Sequence, residues 1–516
     1  MASVSPVPPG DPGPGRFLTP PWDDHHPQWR ALDQQLPPDH LARHIDQAVA
    51  RLDLAPLRGR YRSTGSDAHP PELLLKVVLL ETRRGRHSPA AWLQDAAECA
   101  PVRWLLRGLS PSRSAWYAFR DRVAPVLEAL NAQPLLQALA AGLTPADRAA
   151  LDGTTVAANA SRHKLVKRDQ LHERQAQLDA AIAADQSGDP PAVRPGWMAP
   201  RPAGRARQQA RLRQARARLD ALHARNGAKR RCKRQAAGRI VVSPADPEAV
   251  VGRDKEKVYR PLYNVQVVDD LDSPFVLAYD VFAQQNDAGT LAPMLARLRA
   301  ALGRTPAALL TDAAYAGGAD LAVAAQAGVT LYAPVPGDGD GKPPKPGKAK
   351  LIPKREFRWS AAEEAYVCPQ GHRLAYEESS RQKRSGTEAV LLHRYRCPAQ
   401  HCLACPLQAR CTPAPASGRA VTRSEHEPLI EALRARMATA EAKALYRLRG
   451  QTVEHVNADW KQHRKLRRFS GRGLARARCQ VGLMVLAHNL LTLRAEEAKA
   501  SNKPKETGQR VLQAVA

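Results

Sequence analysis

Two short apolar runs each stop at an aspartate. Ala149-Ala150-Leu151 leads into Asp152, and Ala307 to Thr311 leads into Asp312. Runs this brief do not make a helix, so each reads as a buried strand ending at its acid. That constrains the fold more than any other feature, because it demands a sheet whose strand ends present carboxylates to a crevice. A third acid, Glu454, lies between Tyr446 and Lys461 in a helical segment crowded with cations. Three carboxylates gathered by a fold make a cage for divalent cations. With Lys and Arg at 78 against 50 Asp and Glu, a formal charge of +28, the natural substrate of such a cage is a polyanion.

A chain of 516 residues is too large for one ordinary core and suggests roughly two to four domains. No run of about twenty apolar residues exists, so nothing is expected to span a bilayer. Met1 to Asp24 is rich in Pro and Gly and lacks an apolar h-region. It reads as a disordered lead rather than a signal peptide. Eight cysteines, five of them between Cys368 and Cys411, do not form the pattern of a secreted disulfide scaffold. The expected location is the cytoplasm.

Residues 25–145 read as a helical domain, with a DNA-binding role expected. Leu41, His44, Ile45, Ala48 and Leu52 recur at helical spacing. Pro71 opens an apolar helix, Ser88-Pro89 starts another, and Ser110-Pro111-Ser112 introduces one carrying Trp116 and Phe119. Arg83, Arg84, Arg86 and Arg113 either meet phosphates or form a solvated face. The core follows over residues 146–336, broken by a basic helical insertion at 161–239. In that insertion Arg205 to Arg239 is the most cationic stretch, suited to a DNA backbone or simply to solvent. Tyr263 to Val268 and Phe275 to Tyr279 read as a hairpin about a turn at Asp269 to Pro274. Helix, strand, helix and strand then run to Tyr332, giving a mixed sheet with helices on both faces. Residues 337–424 hold a linker, Gly337 to Lys350, and a cysteine-rich ribbon. Residues 425–499 are helical again, and 500–516 read as a disordered tail.

Divalent ions held by such carboxylates, about 3.5–4 Å apart, serve to activate a water or a 3′-hydroxyl and to stabilise the leaving oxygen of a phosphoryl displacement. Mg2+, or Mn2+ in its place, suits few carboxylates plus substrate phosphate. Tyr446, Arg449, Glu454 and Lys461 follow the spacing Tyr-x2-Arg-x4-Glu-x6-Lys. Glu454 and Lys461 lie nearly two helical turns apart and share a face. Val453, Val456 and Trp460 form an adjoining stripe that can seat the helix on a sheet. Arg449 and Lys461 are expected to hold DNA phosphates, and the tract from Lys461 through Arg467 and Arg468 to Arg476 to add salt-sensitive affinity. Asp287 is a reserve acid near the sheet.

These residues resemble the DDE-class transposases of bacterial insertion sequences, whose catalytic domain is RNase H-like. The similar branch has a helical N-terminal domain, the Asp-Gly-Thr motif at Asp152 to Thr154, an Asp-bearing strand end at Asp312 to Tyr315, and the Tyr-Arg-Glu-Lys signature. Asp246 to Ala249, Tyr263 to Gln266, Arg467-Arg468-Phe469 and Ala487 to Leu490 are similar to its accessory patterns. The likeness covers most of residues 30 to 495. It implies that Asp152, Asp312 and Glu454 are the metal-binding triad and that Tyr446, Arg449, Lys461, Arg467 and Arg468 contact DNA. The implied reaction is cleavage at element ends followed by strand transfer, by a dimer on DNA. Ala314 stands where the branch usually has Gly, four residues rather than three separate Arg449 from Glu454, and Asn457 sits where an aromatic is common. A metal-dependent nuclease that does not join strands, or a DNA-binding repressor with idle acids, are the alternatives.

Cys368-Pro-Gln-Gly-His372, Cys397, His401, Cys402, Cys405 and Cys411 offer more ligands than a tetrahedral Zn2+ needs. Cys368, Cys402, Cys405 and Cys411 are the expected structural zinc set, with redox or incidental cysteines the alternative. His488 and Asn489 lie in an apolar helix, where a core histidine with a satisfied partner is the expectation.

Overall fold

The structure, a computed structural model, describes residues 15–188, 193–254, 256–335, 351–383 and 389–502. The linker expected at 337–350 lies outside them, as do the first fourteen residues of the lead and all but the start of the tail. The architecture is mixed α/β with a helical N-terminal region. It divides into two compact units, one of Met1–Asn286, Ala296–Pro306 and Gly450–Ala516, the other of Asp287–Leu295 and Ala307–Arg449.

In the first unit the N-terminal helices begin where their sequence signals put them. Ser88 caps Pro89–Glu98 by accepting the amide of Ala91, and Ser112 caps Arg113–Val123 by accepting that of Ala115. Their apolar faces, with Leu75, Trp92, Trp116 and Phe119, close one core. The lead expected to be disordered to Asp24 is instead packed from residue 15 onward. Phe17 meets Tyr61 edge-on at 5.3 Å, the Trp22 amide donates to the Arg107 carbonyl, and Arg107 pairs with Asp24. Two aromatic anchors override a composition that otherwise favours disorder. Arg84 and Arg86 pair with the buried Glu81, so these two cations serve the fold.

The sheet of this unit is antiparallel. Strand β1 (Arg148–Ala157) pairs along one edge of β3 (Tyr259–Asp270), from Ala149 opposite Asp270 to Ala157 opposite Leu262. The other edge of β3 carries β2 (Val250–Arg253) and then β4 (Val276–Phe282). Side chains alternate, so Val156, Val265 and Val267 share one face. That face is covered by Trp460, Leu466, Val481, Met484 and Val485.

Val481, Met484 and Val485 belong to the helix Leu474–Asn502, whose other side, with Cys479, Leu483, Leu486 and Leu490, packs into the N-terminal helical core. Its first turn is capped from a distance. Asp246 accepts the Gly473 amide at 3.1 Å and the Tyr263 hydroxyl at 2.7 Å, while Glu248 accepts the Leu474 amide at 2.9 Å. Carboxylates at a helix N-terminus satisfy amides that the helix leaves open and complement its dipole. Gly473 has φ of +89°, a conformation that favours glycine. Midway along, Asn489 accepts the Val276 amide at 3.0 Å and donates to the Val276 carbonyl at 2.8 Å. His488 bonds the Pro274 carbonyl at 2.8 Å, the satisfied core partner expected of it.

The insertion is a helical hairpin, Arg168–Gln186 and Pro202–Gly227, with its own core of Leu171, Leu178, Leu212, Leu219 and their neighbours. Its chain enters and leaves side by side, Val166 and Val242 exchanging both backbone hydrogen bonds. Arg205 points inward. It is 2% exposed and paired through both nitrogens with Asp185, which removes it from the cationic surface assigned to that stretch. Lys229, Arg230, Arg231, Lys233, Arg234 and Arg239 are exposed.

The second unit holds a parallel pair, β5 (Ala308–Leu310) and β6 (Thr330–Tyr332), joined by the helix Gly318–Gln326. It also holds an antiparallel five-stranded ribbon: β7 (Arg358–Ser360), β8 (Ala365–Val367), β9 (Arg373–Lys383), β10 (Ala389–Arg396) and β11 (Ala420–Ser424), in that spatial order. Arg423 braces the ribbon by lying 4.2 Å from the Trp359 ring centre and pairing with Glu431.

Asn489→Ala should strand the amide and carbonyl of Val276 in the core and cost about 2–4 kcal/mol, read as a lowered midpoint in urea. Burial pushes the Asp320 carboxyl up to about 6. Its folded pKa is therefore above its unfolded value, so its contribution to stability is full below about pH 4 and is lost as pH rises through about 6. Asp320→Asn should raise the thermal midpoint at pH 7.5 and leave it unchanged near pH 4.

Candidate functional site

Asp152 was expected at a strand end, and it lies instead inside β1, opposite Val267. The ladder with β3 continues past it to Ala157. Asp152 is thus a half-buried carboxylate among valines on the face covered by helices. Its Oδ2 accepts a hydrogen bond from Asn457 Nδ2 at 2.9 Å. Asn457 belongs to the helix Ala440–Gln462, whose Trp460 and Val456 seat it on the sheet face, with Val453 also buried. The residue that departs from the branch's aromatic is therefore the one that touches the first acid.

Glu454 lies three residues before Asn457, about 4.5 Å along the helix axis and on a neighbouring position of the same face. Glu454 is exposed and Asp152 half-buried. The contact of Asn457 with Asp152 thus falls one helical turn from Glu454. Lys461 lies on the same stretch, one residue past Trp460. Arg467 and Arg468 follow where the chain zips onto the end of β1. The Ala157 amide donates to the Arg467 carbonyl, the Phe469 amide donates to the Ala157 carbonyl, and Phe469 meets Tyr263 edge-on at 5.8 Å. Both arginine side chains are exposed. Arg467 is 3.6 Å from Glu256, and Arg468 donates to the Ala160 carbonyl.

Asp312 belongs to the second unit. It stands just past the end of β5, after Thr311, as expected of a strand-end acid, and its side chain accepts the Ala314 amide at 2.8 Å. The same strand end is held by Tyr446, whose hydroxyl donates to the Thr311 carbonyl at 3.0 Å. Tyr446 is thus a bracing residue for the Asp312 turn, a role distinct from the DNA contact expected of it. Arg449 lies three residues further on, half-buried. The Asp287 carbonyl accepts the amide and hydroxyl of Thr290, whose hydroxyl also meets the Tyr315 hydroxyl at 3.0 Å.

One acid was missed. Asp269, read as part of a turn, is the penultimate residue of β3 and lies on the face of Asp152. Burial, and then the charge of Asp152, hold its carboxyl well above the usual carboxylate range. Two successive aspartates closing an apolar strand were the available signal.

In the ribbon, Cys397, Cys402 and Cys411 are buried together with Cys368 packed against them. Cys397, left out of the expected zinc set, is a full member of the cluster. Burial, then hydrogen bonding to Cys402, push its thiol up to about 12. Cys402 Sγ accepts the Arg419 amide at 3.3 Å, and the Cys368 turn closes with the Gly371 amide donating to the Cys368 carbonyl at 2.9 Å. The rings of His372 and His401 stack at 4.3 Å. Soft sulfur donors in this number suit Zn2+. Among the described residues no group of three His, Cys, Asp or Glu side chains stands gathered in a form that could hold a metal ion.

Residues 367–494 match the family described as Transposase DDE domain, and residues 30–122 match the one described as Transposase domain (DUF772). Both stretches are thus similar to transposase domains. More narrowly, the matches support a DDE-class transposase of insertion-sequence type, the family that the motifs resemble. The first match spans the ribbon, Tyr446, Arg449, Glu454, Lys461, Arg467 and Arg468, and the second the N-terminal helices. Asp152 and Asp312 fall outside both. No curated protein and no solved structure matches the chain. No helix among the described residues is long and apolar enough to cross a membrane.

Proposed function

We propose that the protein binds the ends of a bacterial insertion sequence, cuts the DNA there and joins the freed 3′-hydroxyl to target DNA, with an RNase H-like core and Asp152, Asp312 and Glu454 as its acids. The observation that carries this reading is the hydrogen bond from Asn457 to Asp152, because it ties the Glu454 helix to the strand that bears the first acid. The DDE-domain match over that helix and the transposase-domain match over the N-terminal helices support it.

The donors fit Mg2+ or Mn2+. Asp152 and Glu454 offer hard oxygens, and Asp269 adds a buried carboxylate with both oxygens unpartnered. When bound, such a cation stabilises charge on the attacking and leaving oxygens of an in-line displacement at phosphorus. The chain's own residues do the rest. Asn457 holds the Asp152 carboxylate through Oδ2. Tyr446 braces the turn that presents Asp312. Arg449 and Lys461 hold phosphates near the acids, and Arg467, Arg468 and the exposed cations of the insertion add affinity along the backbone. Cutting two ends calls for a dimer on DNA. Four of Cys368, Cys397, Cys402, Cys405 and Cys411 would hold a structural Zn2+.

With supercoiled plasmid carrying two element ends and Mg2+, the protein should cleave and join. Asp152→Ala, Asp312→Ala and Glu454→Ala should each cut at least on the order of 10²-fold more slowly while still shifting the DNA in a gel. Cleavage without joining would make the protein a nuclease, and binding without cleavage a repressor. Metal analysis of the purified chain should find close to one zinc, with Cys397→Ser and Cys402→Ser losing it and unfolding at lower temperature. A zinc-free parent chain would remove the structural-zinc assignment.

A further inference from the structure

Two aspartates close β3 in succession, and the fold treats them oppositely. Asp270 Oδ2 accepts the hydroxyls of Thr144 at 2.6 Å and Ser273 at 2.5 Å. Asp269, on the other face by alternation, is 3% exposed, and neither of its carboxylate oxygens has a hydrogen-bond partner. An ionised carboxylate taken from water with no partner costs several kcal/mol, and buried polar groups left this way in a native fold call for an explanation. A position that merely filled the sheet face would hold a valine, as Val265 and Val267 do on the same strand.

The register says where Asp269 points. It stands opposite Ala150, while Asp152 stands opposite Val267, so the two acids are diagonal neighbours on one face. Such neighbours lie about 7–8 Å apart along the sheet, a gap that two inclined carboxylates and one cation fill. Ala150, directly across from Asp269, offers only a methyl group. The ladder between β3 and β4 slips between Val268 and Asp269, the kind of irregularity that re-aims a side chain beside an active site. The charge of Asp152 is felt at Asp269, as expected for close acids in a buried setting.

We infer that Asp269 is a further metal-binding carboxylate, sharing a divalent cation of the Mg2+ class with Asp152. A cation there supplies the positive partner for both Asp269 oxygens, with Asp152 on the same face. The inference rests on the reading of Asp152 as a metal ligand, and its test separates the two.

The full-length chain would be titrated with MnCl2 while free Mn2+ is followed by electron paramagnetic resonance, alongside Asp269→Asn, Asp269→Ser and Asp152→Asn. Thermal midpoints would be read in EDTA. Asp269→Asn is expected to weaken Mn2+ binding about tenfold or more, and its midpoint in EDTA to equal or exceed the parent's, because a buried unpartnered acid has been made neutral. Mn2+ binding within twofold of the parent in both Asp269 variants, with binding lost in Asp152→Asn, would overturn the role of Asp269 and leave the active-site reading standing. Unchanged binding in Asp152→Asn as well would overturn both. A midpoint in EDTA that falls by several degrees in both Asp269 variants would make the residue structural and end the proposal.

Discussion

The first unit depends on burying one helix along both of its sides. Leu474–Asn502 has the sheet against one flank and the N-terminal helices against the other, and thirteen of its 29 residues are buried. A helix with so little amphipathic contrast would not hold its place in water by propensity alone, and tertiary burial on both flanks supplies the stability. Its polar fastenings sit at fixed points. Asp246 and Glu248 receive its first amides, Asn489 locks it to β4, and His488 closes on Pro274. Motifs that look like catalytic accessories in sequence are, in this fold, the fastenings of that helix.

The same face of the sheet that receives these helices carries the acids. Asp152 and Asp269 interrupt a surface of Val156, Val265 and Val267, and the helix Ala440–Gln462 covers it with Trp460 and Asn457. A carboxylate in such a place is strongly unfavourable unless something charged joins it. The scaffold thus carries an electrostatic cost at the position where it would hold a cation, with the rigid apolar neighbours keeping both acids from swinging away. Asn457 is small and polar, and it donates to Asp152 where an aromatic ring would cover the acid without bonding to it.

Much of this was legible in the residues. Helix starts at Ser88 and Ser112, the hairpin of β3 and β4, the β5–helix–β6 unit and the helical insertion all carry local signals that agree with the fold. The misses share a cause, which is that tertiary pairing overrides local chemistry. The strand of Asp152 reads as ending at the acid, yet ladder bonds to β3 carry β1 on to Ala157. Asp269 looks like turn punctuation because aspartate so often is, and only the sheet register reveals it as a strand residue. Phe17 and Trp22 sit in a Pro- and Gly-rich lead whose composition hides two anchors. Arg205 lies in a run of like charges, and its partner Asp185 is twenty residues earlier, across a turn that periodicity does not resolve. Cys397 precedes the tight Cys-x2-Cys pair and joins it only through the pairing of β10 with β11.

The hairpin insertion has an internal core and an inward ion pair, and its two connecting strands touch at Val166 and Val242. A module whose ends already meet adds almost no strain to the chain that hosts it, since closing the gap needs only a tight turn in its place. Its boundary is therefore a natural graft point. The whole arm can be shortened, lengthened or exchanged between related proteins while the acid-bearing strands stay in register, which frees its surface to diversify at a different pace from the scaffold beneath.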